Sequence, residues 1–314
     1  MNDLSQPFLE TGRDAALNDA ATRIDGILLG KPRAVRLALA CLIARGHLLI
    51  EDLPGMGKTV LAQALAKALG LEFKRVQFTN DMLPGDLTGA AIFDRERAEF
   101  IFHPGPIFSQ LLLADEINRA SPKTQSALLE AMEERQVSSE GITRPLPDPF
   151  FVIATQNPVD HLSTNPLPEA QLDRFLMRLS LGYPDAEAEL EVLRGEDRRE
   201  LLERMPPCLD PGALGVLQRQ ARLIHASDAL LRYIRALAEH TRHAAGFAFG
   251  LSPRGALALL AAARAWALLD GRDHALPSDV QTVFAHVAIH RLGHGDARAA
   301  ENHAQAILDA VPLP

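Results

Sequence analysis

Apolar residues are grouped along this chain in two ways. Short apolar runs, each about one strand long, occur at residues 47–50, 73–78, 111–114, 150–154 and 175–181. Runs of this length without alternation are the pattern of strands buried on both faces. Between most of them lie stretches with apolar positions every three to four residues, such as 60–69 and 123–134, the period of a helix with one buried face. Strands alternating with helices predict a mainly parallel sheet flanked by helices and joined by right-handed crossovers.

After Tyr183-Pro184 the pattern changes. Residues 185–314 show helical spacing throughout, with examples at 186–203, 229–245, 253–269 and 278–291, and all their basic residues are arginine. Ser278-Asp279 after Pro277 marks a helix start. The chain is therefore read as an α/β core over residues 1–184 and an all-α domain over 185–314, in keeping with ~100 to 200 residues per domain. Charges at three- and four-residue spacings between Asp185 and Arg204 predict a solvated helix face.

The 314 residues are 47% hydrophobic and 23% charged, ordinary for a globular protein with a substantial core. Cys41 and Cys208 lie far apart, which argues against a disulfide framework or a zinc ribbon. Five lysines and twenty-seven arginines face 40 acidic residues, for a net charge of -8. That balance disfavours a protein that coats nucleic acid, because phosphate binding draws on a net basic surface. Aromatic content of 5% also disfavours stacking platforms for single strands. The first residues lack a basic and apolar secretory leader, and the longest apolar run, 257–269, contains Arg264 and is too short for a membrane span. A cytoplasmic location is expected.

The first strand runs into Glu51-Asp52-Leu53-Pro54-Gly55-Met56-Gly57-Lys58-Thr59, with Val60 opening a helical stretch. Strand, glycine loop ending in Gly-Lys-Thr and helix form the context of a nucleotide P-loop. Gly55 and Gly57 let backbone N–H groups turn toward phosphate oxygens, Lys58 supplies positive charge to the outer phosphates, and the Thr59 hydroxyl is suited to Mg²⁺. One position departs from G-x-x-x-x-G-K-[ST]: Asp52 stands where the first glycine belongs.

The run at 111–114 ends in Asp115-Glu116. At the carboxyl end of a parallel strand these carboxylates lie on the edge where ligands bind, Asp115 to hold Mg²⁺ and Glu116 to activate the attacking water. The strand at 150–154 delivers Thr155-Gln156-Asn157-Pro158 to the same edge, where the neutral Asn157 amide is suited to contact the γ-phosphate and the water. His286, His290 and His294 recur every four residues, but packing or solvated histidines are favoured over a metal site.

With Leu172-Asp173-Arg174-Phe175 and Leu251-Ser252-Pro253-Arg254 added, the chain resembles the AAA+ ATPases, and within them the MoxR family, from about residue 28 to residue 291. Residues 46–59 are similar to the MoxR form of the P-loop, in which the first glycine is often replaced. Residues 83–89 resemble the entry to this clade's helix-two insert, and 113–120 with 124–137 resemble its Walker B signature. The resemblance implies ATP bound by residues 54–60, from Pro54 through Met56 to Val60, and Mg²⁺ held by Thr59 and Asp115. It implies that Arg174 is an arginine finger reaching a neighbour's site and that Arg254 is a sensor arginine on the helical lid. It further implies a ring, usually a hexamer, a chaperone-like task in maturing or loading metal cofactors into client proteins, and a partner with a von Willebrand factor A domain. Lys31 departs from the Gly-Gln usual at the N-terminal adenine site. A nucleic-acid motor and a nucleotide-gated scaffold with little hydrolysis are the alternative readings.

Overall fold

The computed structural model describes residues 6–139, 141–158, 164–195, 197–243, 247, 249–292 and 297–313. Helices α1 (Gln6–Ile27) and α2 (Pro32–Ile43) precede strand β1 (Leu48–Glu51), and α3 (Lys58–Ala68) returns the chain to β2 (Phe73–Gln77). Next come α4 (Pro84–Thr88), a hairpin of β3 (Gly89–Asp94) and β4 (Glu99–Pro104), and β5 (Leu111–Asp115). Helix α5 (Pro122–Glu134) is followed by a second hairpin, β6 (Gln136–Ser139) and β7 (Ile142–Pro145), then β8 (Phe151–Gln156), α6 (Glu169–Leu172) and β9 (Met177–Leu179). The rest is helical: α7 (Ala186–Arg194), α8 (Arg198–Arg204), α9 (Pro211–Leu223), α10 (Asp228–His243), α11 (Pro253–Leu269), α12 (Pro277–Ala288) and α13 (Ala297–Ala310).

Five strands form one parallel sheet in the order β2-β5-β8-β1-β9. The expected apolar runs contain its strands, and alternation within β1, β5 and β8 divides two cores. Leu48, Ile50, Leu111, Leu113, Phe151 and Ile153 face the cluster shared with α1, α2 and α3. Leu49, Leu112, Ala114, Val152 and Ala154 face the cluster under α5. At about 25 cal/mol per Å² of apolar area removed from water, covering both faces is the main stabilising term of such a sheet. It leaves the strand ends as the places open to ligands.

The change of pattern at residue 184 is a change of secondary structure but not a gap in the core. Helices α9 to α13 contribute to the same apolar cluster as α2 and the sheet face. Gln218 on α9 donates to the Leu42 carbonyl at the end of α2 (3.0 Å). The helix expected over 186–203 is two helices. Asp185 caps α7 by accepting the Ala188 N–H (2.8 Å), the backbone turns extended at Gly195, and Asp197 caps α8 by accepting the Arg199 N–H (2.9 Å). Helix α12 starts at Pro277, with the Asp279 carboxylate accepting the Leu276 N–H (2.7 Å), and runs on as a 3₁₀ turn through Arg291.

Two features escaped the sequence pattern. Both hairpins lie outside the main sheet, and the Arg144 guanidinium of β7 sits 3.7 Å from the Phe102 ring centroid of β4, which ties them together. The histidine series is structural where it is described. His286 Nδ1 lies 3.2 Å from the Arg178 carbonyl and His290 Nε2 lies 3.0 Å from that of Phe175, while His294 falls outside the described residues. No group of three potential metal-ligating side chains occurs among the described residues.

His47, just before β1, is 5% exposed. Its Nδ1 accepts the Val152 N–H (3.0 Å), and Nε2, 3.2 Å from the Met132 carbonyl, donates to it. The neutral ring fills both bonds and the charged ring cannot, so burial above all lowers its pKa from 6.5 to about 4. A base whose pKa is lowered by folding contributes stability that is complete above the unfolded value and lost as pH falls toward the folded one. Denaturant unfolding at pH 7, 6, 5 and 4 should therefore show stability falling below pH 6.5, with His47 contributing on the order of 3 kcal/mol. His47→Gln should flatten that slope by about one proton, and an unchanged slope would assign it to other groups.

Candidate functional site

The carboxyl edge of the sheet gathers the residues of the phosphate loop and the Asp-Glu strand end. Gly55 and Gly57 adopt φ of 84° and 91°, a left-handed conformation that side chains resist. Gly57 occupies the cap position of α3 and brings no side chain to accept from the first amides of that helix. The first turn of α3 thus presents N–H groups and the positive end of its dipole at the loop. Pro54 and Gly55 are exposed at the tip, whereas Met56 and Val60 pack against the core and hold the two ends of the loop. Lys58 Nζ donates to the Asp52 carbonyl (2.6 Å) and lies 3.4 Å from that of Gln156. Burial lowers its pKa, and Asp52, Asp115 and Glu116 oppose the shift.

Asp115 and Glu116 are set by their neighbours across the sheet. Thr155 Oγ1 donates to Asp115 Oδ1 (2.6 Å) and accepts the Glu116 N–H (2.9 Å), so one hydroxyl aligns both residues. Arg75 on β2 pairs with Asp115 Oδ2 (2.7 Å), and Gln77 Nε2 donates to Glu116 Oε2 (2.7 Å), which also meets Arg119 Nε (3.0 Å). Glu116 takes a left-handed φ of 57°, a strain met at functional sites when neighbours enforce it. Asn157 follows β8 directly, beside Asp52, whose N–H donates to the Gln156 carbonyl (3.2 Å). Thr155, Arg75 and Gln77 received no role from the sequence. The available signal was the alternation of Arg75 and Gln77 on the strand beside the Asp-Glu strand.

The donor set at this edge, a carboxylate at Asp115 and a hydroxyl at Thr59, consists of hard oxygens and fits a magnesium ion shared with phosphates better than an all-protein cage.

Arg174 and Arg254 are together, at the opposite edge of the sheet. Arg174 Nη2 meets Glu133 Oε2 (3.2 Å) and Arg254 Nη1 meets Glu133 Oε1 (3.0 Å), so one carboxylate at the end of α5 holds both. Arg254 Nε also lies 3.8 Å from Asp173 Oδ2. The two arginines line a pocket of about 230 Å³ with Gly46, His47 and Arg291, residues at or behind the amino end of β1. The structure therefore does not bring Arg254 to the phosphate loop of its own chain. Arg291 anchors this edge from the helical side: its Nε donates to Asp173 Oδ1 (2.6 Å) and its Nη2 to the Phe175 carbonyl (2.7 Å).

A parallel sheet with a phosphate loop, an Asp-Glu strand end and an asparagine on one edge, followed by a helical region, defines a AAA+ ATPase core with its lid. Comparison with known proteins agrees. Residues 47–177 match the family model of the ATPase family associated with various cellular activities (AAA), and residues 239–311 match the AAA lid domain. The chain is 46% identical to the uncharacterized protein YeaC of Bacillus subtilis over 95% of both chains. It is 40% identical to chaperone MoxR1 of Mycobacterium tuberculosis, covering 95% of this chain and 82% of that one, and 36% identical to protein MoxR of Paracoccus denitrificans, covering 96% and 97%. A crystal structure of a candidate ATPase from Cytophaga hutchinsonii superposes with a TM-score of 0.87 at 34% identity, covering 99% of this chain and 98% of that one. The chain belongs to the MoxR family of AAA+ ATPases.

Thr155→Val keeps the side-chain shape but removes the donor to Asp115 and the acceptor for the Glu116 amide. It should cost about 1 to 3 kcal/mol of stability and lower ATP turnover more than ATP affinity. Steady-state kinetics beside a denaturant titration check this, and parent turnover would show that Thr155 does not set the two carboxylates.

Proposed function

We propose that this protein hydrolyses ATP with Mg²⁺ in a ring of identical subunits and uses the cycle for chaperone-like remodelling of client proteins. The observation that carries the reading is the division of the site between two edges. Lys58, Asp115 and Glu116 lie at one edge, with Thr59 beside Lys58 in sequence and Asn157 at the end of β8, while Arg174 and Arg254 sit together at the other. Two cations held away from their own loop support a reading in which they serve a neighbour's across a head-to-tail contact, which by family resemblance closes into a hexameric ring.

In this reading loop residues 54–60, through the amides that follow Pro54, and Lys58 hold the phosphates, and Thr59 and Asp115 would hold Mg²⁺, which would supply positive charge to them. Asp115 would give up its Arg75 partner for that role. Glu116, released from Gln77 and Arg119, takes the proton from the attacking water, and Asn157 orients that water against the γ-phosphate. Arg174 from the adjoining subunit stabilises charge on the transferring oxygens, with Arg254 beside it reporting the nucleotide of that same neighbour. The connector at Tyr183-Pro184 is the point about which the lid adjusts. The relative named chaperone MoxR1 supports the chaperone task. Insertion of a metal cofactor into the client, a partner with a von Willebrand factor A domain and a cytoplasmic location follow from family resemblance. No helix among the described residues is long and apolar enough to cross a membrane.

Glu116→Gln should bind ATP, stabilise the assembled ring and lose turnover; turnover at the parent rate would remove Glu116 from the proton-accepting role. Mixing Arg174→Ala subunits with Glu116→Gln subunits should restore part of the activity, since each intact site then meets an intact finger. Arg254→Ala should complement in the same way. Absence of complementation at every mixing ratio would argue against arginines acting across the interface.

A further inference from the structure

Asp52 occupies the position at which the general phosphate-loop pattern has glycine, and its side chain is not idle. It is 8% exposed. Oδ2 accepts the Leu181 N–H (2.6 Å), the Gly182 N–H (2.7 Å) and the Ser180 hydroxyl (3.2 Å), and Oδ1 accepts the N–H of Leu53 (3.0 Å). A buried carboxylate is costly unless donors surround it, and here four do. Two of them are consecutive amides at the start of the connector that leaves β9 for the helical region. Gly182 has φ of 61°, and nothing lies within 4 Å of where a Cβ would be. Glycine is required there for backbone conformation alone. Successive amides around a left-handed residue form an anion-binding concavity, and Asp52 fills it.

The same residue touches the nucleotide machinery through its backbone. Its carbonyl accepts Lys58 Nζ (2.6 Å) and its N–H reaches the Gln156 carbonyl next to Asn157 (3.2 Å). The connector is also gripped from the amino-terminal side, where Lys31 Nζ donates to the Tyr183 carbonyl.

We propose that Asp52 is a positioning residue that fastens the phosphate loop to the core–lid connector, so that the state of Lys58 is transmitted to residues 180–184. This deepens the reading of the loop as phosphate-binding and rests on it. With phosphate bound, Lys58 turns from the Asp52 carbonyl toward the ligand. The side chain of Asp52 stays in its concavity, and the displacement of the loop is passed to Leu181 and Gly182. Glycine at position 52 binds phosphate equally well but leaves the connector unattached.

The test is Asp52→Gly, which restores the general loop pattern, read by ADP titration, ATP turnover and hydrogen exchange of the peptide spanning residues 180–184 with and without ADP. In the parent, ADP should change exchange of that peptide. In Asp52→Gly, ADP affinity should stay within about threefold while kcat falls about tenfold or more, the size expected for losing charge-assisted hydrogen bonds. The connector should then exchange fast whether or not ADP is present. An exchange response to ADP like the parent's would overturn the proposal. So would a loss of ADP affinity in parallel with turnover, which would place Asp52 in the phosphate cradle itself. If Asp52→Gly does not fold, Asp52→Asn, which keeps one acceptor oxygen, should show the same pattern at smaller amplitude and is judged by the same outcomes. Failure of the parent to bind ADP would overturn the reading of the loop, and this proposal with it, before any variant is made.

Discussion

The parallel register of β1, β5 and β8 is the constraint from which the site follows. Leu48 pairs with Ile153 and Leu113 with the same residue, so the three strands end level with one another. Parallel strands covered on both faces have nowhere to place polar side chains except at their ends. Asp52, Asp115, Glu116, Thr155 and Asn157 are therefore neighbours by geometry, although up to 105 positions separate them. The hydroxyl of Thr155 then converts proximity into orientation, since it serves the Asp115 carboxylate and the Glu116 amide at once.

The amino edge is organised by a different economy of charge. Glu133 pairs with Arg174 and Arg254, and Asp173 accepts from Arg291 and lies within ion-pair distance of Arg254. Exposed ion pairs of this kind are worth little in stability, and Arg174 and Arg254 can leave Glu133 at small cost. Arg291 differs because it is 9% exposed. Burial pulls its guanidinium pKa down, Asp173 opposes the shift, and backbone carbonyls of the segment after Arg174 take its remaining donors. One arginine is fixed so that two others are displayed.

Much of this was legible in the sequence, for identifiable reasons. The strands at 111–114 and 150–154 were readable because burial on both faces leaves an unbroken apolar run, and the Gly-Lys-Thr loop because its chemistry tolerates few substitutions. The hairpins were not, because strands outside a two-sided core carry no such run: Phe93 and Phe100 pair across the first of them while remaining half or more exposed. The alternation of Arg75 and Gln77 along one strand was readable, but their role at the site was not, because it depends on which strand lies beside β5. That Arg254 meets Glu133, 121 positions away, depends on how the helical region packs on the core, which local periodicity does not encode. The break at Gly195 was hidden because charge spacing on either side continues the same helical face.

Strand β9 has a consequence of its own. It is three residues long, about 10 Å in extended form, and among the described residues pairs with β1 alone, through Leu48, Leu49 and Ile50. Before it lie Asp173, Arg174 and the carbonyls clasped by Arg291; after it lie Ser180, Leu181 and Gly182 on the Asp52 carboxylate. A strand has little give along its length, so β9 behaves as a strut. On the function proposed above, its two ends serve different nucleotides, one in this subunit and one next door, joined through a single short strand.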